Sequence, residues 1–105
     1  DTEKLIADAR AAEAAGAFAV LIECVPAATA AAITASVQVP TIGIGAGREV
    51  SGQVLVTHDI LGLTSGYTPK FTRNFADVGE MIRKAAGDYR HAVQDQTFPS
   101  NEESF

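Results

Sequence analysis

The chain has 105 residues, 47% of them hydrophobic and 20% charged, a balance that suits a globular protein with a modest core. Its formal net charge is −5 at pH 7 and its eight Lys and Arg residues form no run, so it lacks the clustered cations that nucleic-acid phosphates require. No stretch reaches the ~18 consecutive apolar residues of a membrane span, and residues 1–15 carry too many charges for a signal peptide. Neither nucleic acid nor a membrane is therefore expected as a partner.

A helix pattern runs from the first residues without an initiator Met, which reads as a piece of something longer. Residues 2–15 place Leu5, Ala9 and Ala12 at helical spacing with charges between them, and Gly16 is a natural terminator. Residues 17–25, AFAVLIECV, are nearly continuous in apolar character between Gly16 and Pro26. Such a run predicts a strand buried on both faces. Pro26 suits the first turn of a helix over about 27–37, with Ala30, Ile33 and Val37 on one face.

TIGIG at 41–45 predicts a second strand, followed by the glycine-rich loop GAGREVSG. Residues 52–61 are ambiguous, because Val54 and Val56 alternate while Val54, His58 and Leu61 share a helical face. A third strand is expected near Lys70–Arg73. Residues 76–95 predict an amphipathic helix, with Val78, Ile82, Ala85, Ala86, Tyr89 and Val93 on its apolar face. The tail TFPSNEESF has no periodicity and is expected to lie over a surface. Strands alternating with helices imply a parallel sheet, either doubly wound or part of a (β/α)8 barrel.

Glu23 is the residue that chemistry would single out. It stands near the C-terminal end of an otherwise apolar strand, and in parallel α/β folds the C-terminal strand ends form the active-site face. A buried, unpaired carboxylate is costly, so Glu23 is either functional or tied to a neighbouring Lys, Arg or backbone amide. Alternation places Leu21 and Glu23 on one side of the strand and Ile22 and Cys24 on the other. Cys24 then reads as a small buried hydrophobe. A lone cysteine cannot form an internal disulfide, which fits a reducing, cytoplasmic compartment.

The loop GIGAGR at 43–48 lacks the spacing of a dinucleotide fingerprint. Its glycines serve either a tight turn at the strand end or the close approach of an anion. His58 and Asp59 read as a hydrogen-bonded residue and a cap or ion-pair partner. No third metal ligand lies at a recognisable spacing. Lys70 and Arg73 are either solvated or available to an anion. Ser51 and Thr64 have no visible base partner, so neither is read as a nucleophile.

Taken together, AGAFAVLIECVP (15–26), VPTIGIGAG (39–47), SGQVLVTHDILGL (51–63), PKFTRNFAD (69–77) and TFPSNEESF (97–105) resemble the C-terminal part of the ketopantoate hydroxymethyltransferase family, in order and with that family's spacing. The resemblance implies the last three βα units of a (β/α)8 barrel. Residues 1–96 would run from the fifth helix to the eighth, with 52–61 as a short helix, and residues 97–105 would form the tail. It implies transfer of a hydroxymethyl group from 5,10-methylenetetrahydrofolate to 3-methyl-2-oxobutanoate, with Mg2+ as cofactor and Glu23 as proton acceptor. Homo-oligomers are implied too.

The family's metal-binding carboxylates, and the Ser and Lys that hold the keto acid, belong to strands before Asp1. No metal ligand is assigned in this chain, and neither Asp59 nor Glu49 is recruited as a substitute. Ser51 stands where the family often has Asp, a change expected to matter little. Two other readings remain open: an anion-binding module built on the GIGAGR loop, and a fragment without catalytic activity of its own.

Overall fold

The computed structural model describes all 105 residues and divides them into two compact units. One comprises residues 1–56 and 70–72, the other residues 57–69 and 73–105.

The first unit holds the sheet. Helix α1 (Thr2–Ala14) starts where the Asp1 carboxylate accepts the Glu3 backbone N–H at 3.0 Å, a side-chain cap for an otherwise orphaned donor. It ends ahead of Gly16. Strand β1 (Val20–Glu23), helix α2 (Ala27–Ser36), strand β2 (Thr41–Ile44) and the short strand β3 (Gly52–Gln53) follow. The strands are parallel in the order β1-β2-β3. Val20 pairs with Thr41, Glu23 with Ile44, and Gly43 with Gln53.

Ile22 of β1 packs with Ala9 of α1 and with Ala30, Ile33 and Val37 beside it to form the core. One helix-to-strand tie is polar. The Glu13 carboxylate accepts the backbone N–H groups of Gln38 (2.7 Å) and Val39 (3.0 Å), which fixes the turn that delivers the chain into β2. A second tie is a chain of hydroxyls. Thr41 is fully buried and lies 2.8 Å from the Thr34 hydroxyl, while its backbone N–H donates to Ser51 Oγ at 3.0 Å. The Ser51 N–H returns a bond to Thr41 Oγ1 at 3.2 Å, so the far end of the glycine-rich loop is clasped to the start of β2.

In the second unit, α3 (Thr57–Leu61) is followed by an irregular stretch and by α4 (Val78–Gln94). The backbone N–H of Phe75 donates to Ile60 O at 2.8 Å. No residue of α4 is buried. The tail turns back on the helix: Thr97 N–H donates to Ala92 O at 2.9 Å, and the Phe98 ring meets Tyr89 edge-on at 5.6 Å. It then forms a 3-10 turn at Asn101–Glu103, closed by a reciprocal Ser100–Glu103 capping box.

Several expectations need correction. No strand forms at Lys70–Arg73, where Lys70 and Phe71 make a turn. The third strand is Gly52–Gln53 instead, because a seven-residue loop suffices to bring this segment alongside β2. The ambiguous stretch 52–61 is thus a strand and then a helix. β1 is four residues long rather than nine, and it is not buried on both faces. Leu21 is 59% exposed, because α1 and α2 cover only the Ile22 side. The tail lies against α4 through Thr97 and Phe98 and carries one short helical turn.

Candidate active site

Parallel pairing brings the carboxyl ends of all three strands to one edge of the sheet. Glu23 is the last residue of β1, opposite Ile44 at the end of β2. With the two-residue alternation of strands, it shares a face with Leu21, Ile42 and Ile44. Its carboxylate is solvent-exposed and forms no hydrogen bond or ion pair with the chain. It also borders a depression of about 250 Å3 along the unpaired edge of β1, together with Leu5, Asp8 and Val25. A free carboxylate on an apolar face can accept a proton or a hydrogen bond from a small molecule placed against that face, because none of its lone pairs is committed elsewhere.

Past the strand ends lies a second, larger cleft of about 510 Å3. Its walls are Val25 and Ala27 after β1, Gly45 and Gly47 after β2, and Gln53 at the end of β3. Lys70 and Phe71 come in from the later turn. Gly45 and Gly47 have φ of +62° and +79°, values that side chains disfavour. Each is also a place of close approach. A Cβ on Gly45 would sit 2.9 Å from the Phe71 ring, and one on Gly47 would sit 2.5 Å from Ala27 Cβ. The Gln53 amide donates to Gly47 O at 2.7 Å, which holds both the loop and the side chain in place.

Cys24 departs from the expected pattern. It is exposed, with φ of +54°, because the strand ends at Glu23 and the left-handed step breaks the alternation. Its Sγ lies beside Gly45 and not among the core residues. In the second unit Asp59 is buried and accepts the Thr64 hydroxyl at 2.6 Å, while His58 is exposed. Asp59 thus anchors the turn after α3 through a hydroxyl, neither capping a helix nor forming an ion pair as expected, and the His58 side chain, expected to be hydrogen-bonded, has no bonding partner because it points into solvent from a short helix. Ser51 is a loop clasp. No three His, Cys, Asp or Glu side chains are gathered in the chain, so these residues alone do not fit a Mg2+ site. Sequence reasoning missed Gln53 and the contribution of Phe71. The signal for Phe71 was the GYTP turn before it, which argues against a strand.

The arrangement defines a parallel α/β protein with an unpaired carboxylate and its larger cleft at the carboxyl ends of its strands, where such folds bind small molecules. Residues 1–101 match the profile of the family described as ketopantoate hydroxymethyltransferase, and the chain belongs to that family. Relatives named 3-methyl-2-oxobutanoate hydroxymethyltransferase include one from Rhodopirellula baltica, 74% identical over 105 residues, covering 100% of this chain and 39% of the relative. Another, from Geotalea daltonii, is 54% identical over 103 residues, covering 98% of this chain and 39% of the relative. One from Salinibacter ruber is 49% identical over 105 residues, covering 100% and 40%. The chain therefore spans about two fifths of the length of these relatives. No helix is long and apolar enough to cross a membrane.

Proposed function

We propose that this chain is the C-terminal part of a (β/α)8-barrel hydroxymethyltransferase, and that Glu23 removes the C3 proton of 3-methyl-2-oxobutanoate. The observation that carries the reading is the unpaired Glu23 carboxylate at the end of a parallel strand, on a face otherwise made of Leu21, Ile42 and Ile44. In a closed barrel that face is the lumen, and the exposure of Glu23 and Leu21 becomes access to substrate rather than to bulk water.

The C3–H is acidic because the adjacent carbonyl delocalises the resulting carbanion as an enolate. Glu23 takes the proton, water releases the methylene carbon of 5,10-methylenetetrahydrofolate from both folate nitrogens as formaldehyde with its two hydrogens going to those nitrogens, and C3 bonds to that carbon as the formaldehyde oxygen takes the proton back from Glu23. Water supplies the hydroxyl, so keto acid, methylene donor and one water give 2-dehydropantoate and tetrahydrofolate. The divalent cation that the family resemblance implies finds no donor set in this chain. The reaction belongs to a complete, cytoplasmic and homo-oligomeric protein.

The test uses that complete protein, or the R. baltica relative with residues 1–105 in place of its matching segment. Glu23→Gln should lower hydroxymethyl transfer by about 10²–10⁴-fold, the usual contribution of a positioned base, while keto-acid binding persists. Near-normal turnover of the variant would remove Glu23 as the base. The 105 residues alone should show no transfer at any metal concentration.

A further inference from the structure

The cleft past the strand ends offers chemistry that Glu23's apolar face does not. Phe71 packs one part of its ring against the bare Gly45 backbone and leaves 42% of its surface exposed. Lys70, the neighbouring residue, is the cleft's charged lining group and forms no ion pair with the chain. Gln53 spends its amide nitrogen on Gly47 O, so its carbonyl oxygen is held in place with no protein donor bonded to it. The three groups form a flat aromatic surface, a cation beside it and a fixed acceptor.

A ligand that matches them carries an aromatic ring, an amide N–H and a carboxylate within a few bonds of one another. The five-carbon keto acid has no ring and no N–H. The p-aminobenzoylglutamate half of a folate has all three, in that order along its skeleton. The cleft's volume, about 510 Å3, lies within the range of small-molecule sites, about 300–1,000 Å3.

We infer that the cleft holds the p-aminobenzoylglutamate portion of the folate co-substrate, with the benzoyl ring on Phe71, the amide N–H on Gln53 and the glutamate carboxylate on Lys70. This assignment rests on the reaction proposed above. It puts the recognition handle beyond the strand ends and leaves the methylene-bearing pteridine end free to reach toward Glu23. Stacking on Phe71 favours an offset or edge-on ring pair. The Lys70 pairing is a charge-assisted bond that binds substrate and transition state alike, so it should act on KM and not on kcat.

Two measurements on the complete protein decide it. In the first, steady-state kinetics compare the unsubstituted protein with Lys70→Ala and Lys70→Arg. Lys70→Ala should raise the folate KM at least about tenfold, with kcat and the keto-acid KM unchanged within twofold, and Lys70→Arg should recover most of the loss. An unchanged folate KM overturns the inference, and so does a rise confined to the keto-acid KM. In the second, p-aminobenzoylglutamate is titrated by calorimetry into the unsubstituted protein and into Phe71→Ala and Lys70→Ala. Binding should weaken in both variants, while p-aminobenzamide, which keeps the ring and an amide N–H but has no carboxylate, should not distinguish Lys70→Ala from the unsubstituted protein. Equal p-aminobenzoylglutamate affinity in all three proteins overturns the inference. If transfer activity is absent but Lys70-dependent binding is present, the reaction is wrong and the subsite stands. Lys70 is exposed, so loss of folding is not expected, and matching thermal melts would establish that.

Discussion

In the sheet unit Ile22, Ile33 and Val37 are 5%, 3% and 7% exposed, whereas along α4 Ile82, Tyr89 and Val93 are 56%, 61% and 45% exposed. Both segments carry the apolar periodicity of packed elements. The difference lies in what faces them. The sheet's covered side has two helices of its own unit, while α4 touches its unit only at its ends, by Gly79 against Gly62 and by the tail through Ala92 and the Tyr89–Phe98 pair, and buries no residue. Amphipathic pattern therefore reports the wish of a helix to be covered, and says nothing about which residues do the covering. The surface area agrees. The chain exposes 7,803 Å2, while two compact bodies sharing its 10.9 kDa would expose about 6,700 Å2 together.

The largest expected consequence is self-association of the isolated 105 residues through α4. Light scattering should show it, and the double substitution Ile82→Lys/Tyr89→Lys should restore a monomer, whereas removing exposed Phe18 in the sheet unit should not. Monomeric behaviour of the unsubstituted chain at high concentration would break the comparison. In that lysine background, urea unfolding should separate the two regions further. Ile33→Ala should cost about 2–4 kcal/mol through a buried cavity, and Met81→Ala less than about 0.5 kcal/mol.

Smaller, and confined to the sheet unit, is the hydroxyl chain. Thr41→Val keeps the shape of a fully buried side chain but leaves the Ser51 N–H and the Thr34 hydroxyl without it, at about 1–3 kcal/mol. A neutral result would mean that the loop is held by its glycines alone.

The smallest effect belongs to α4. The Lys84 ammonium is raised above its usual 10.5, first by its hydrogen bond to Asp88 and second by that residue's charge. A raised folded-state value means that its contribution is fully present below the unfolded value and is lost as pH rises through the folded one. The pair is exposed and screened. Lys84→Met should therefore flatten the stability profile only above about pH 10, and a change near neutrality would contradict the pairing.

How far the sequence could be read follows the same division. Helices α1, α2 and α4 and strand β2 were legible to within a few residues, because caps, breakers and period are local. The position of Glu23 at a strand end was legible for the same reason. The exposure of Leu21 was not, since an apolar run looks identical whether its second face is covered or bare. Strand β3 was hidden because two residues carry no period, and its hydrogen bonds come from Gly43, ten positions away. Cys24 was misplaced because alternation was carried one residue past the strand's end. The placement of Phe71 in the cleft depends on its packing against Gly45 across 26 positions of chain, a relation no local pattern encodes.

The most direct test of the central claim isolates proton removal from the rest of the reaction. In D2O, with the complete protein, keto acid and no folate, the C3 hydrogen should exchange for deuterium at a rate readable by proton NMR. Glu23→Gln should slow that exchange by at least about a hundredfold while the keto acid still binds. Exchange at an undiminished rate in the variant would contradict the account, because some other group would then be taking the proton.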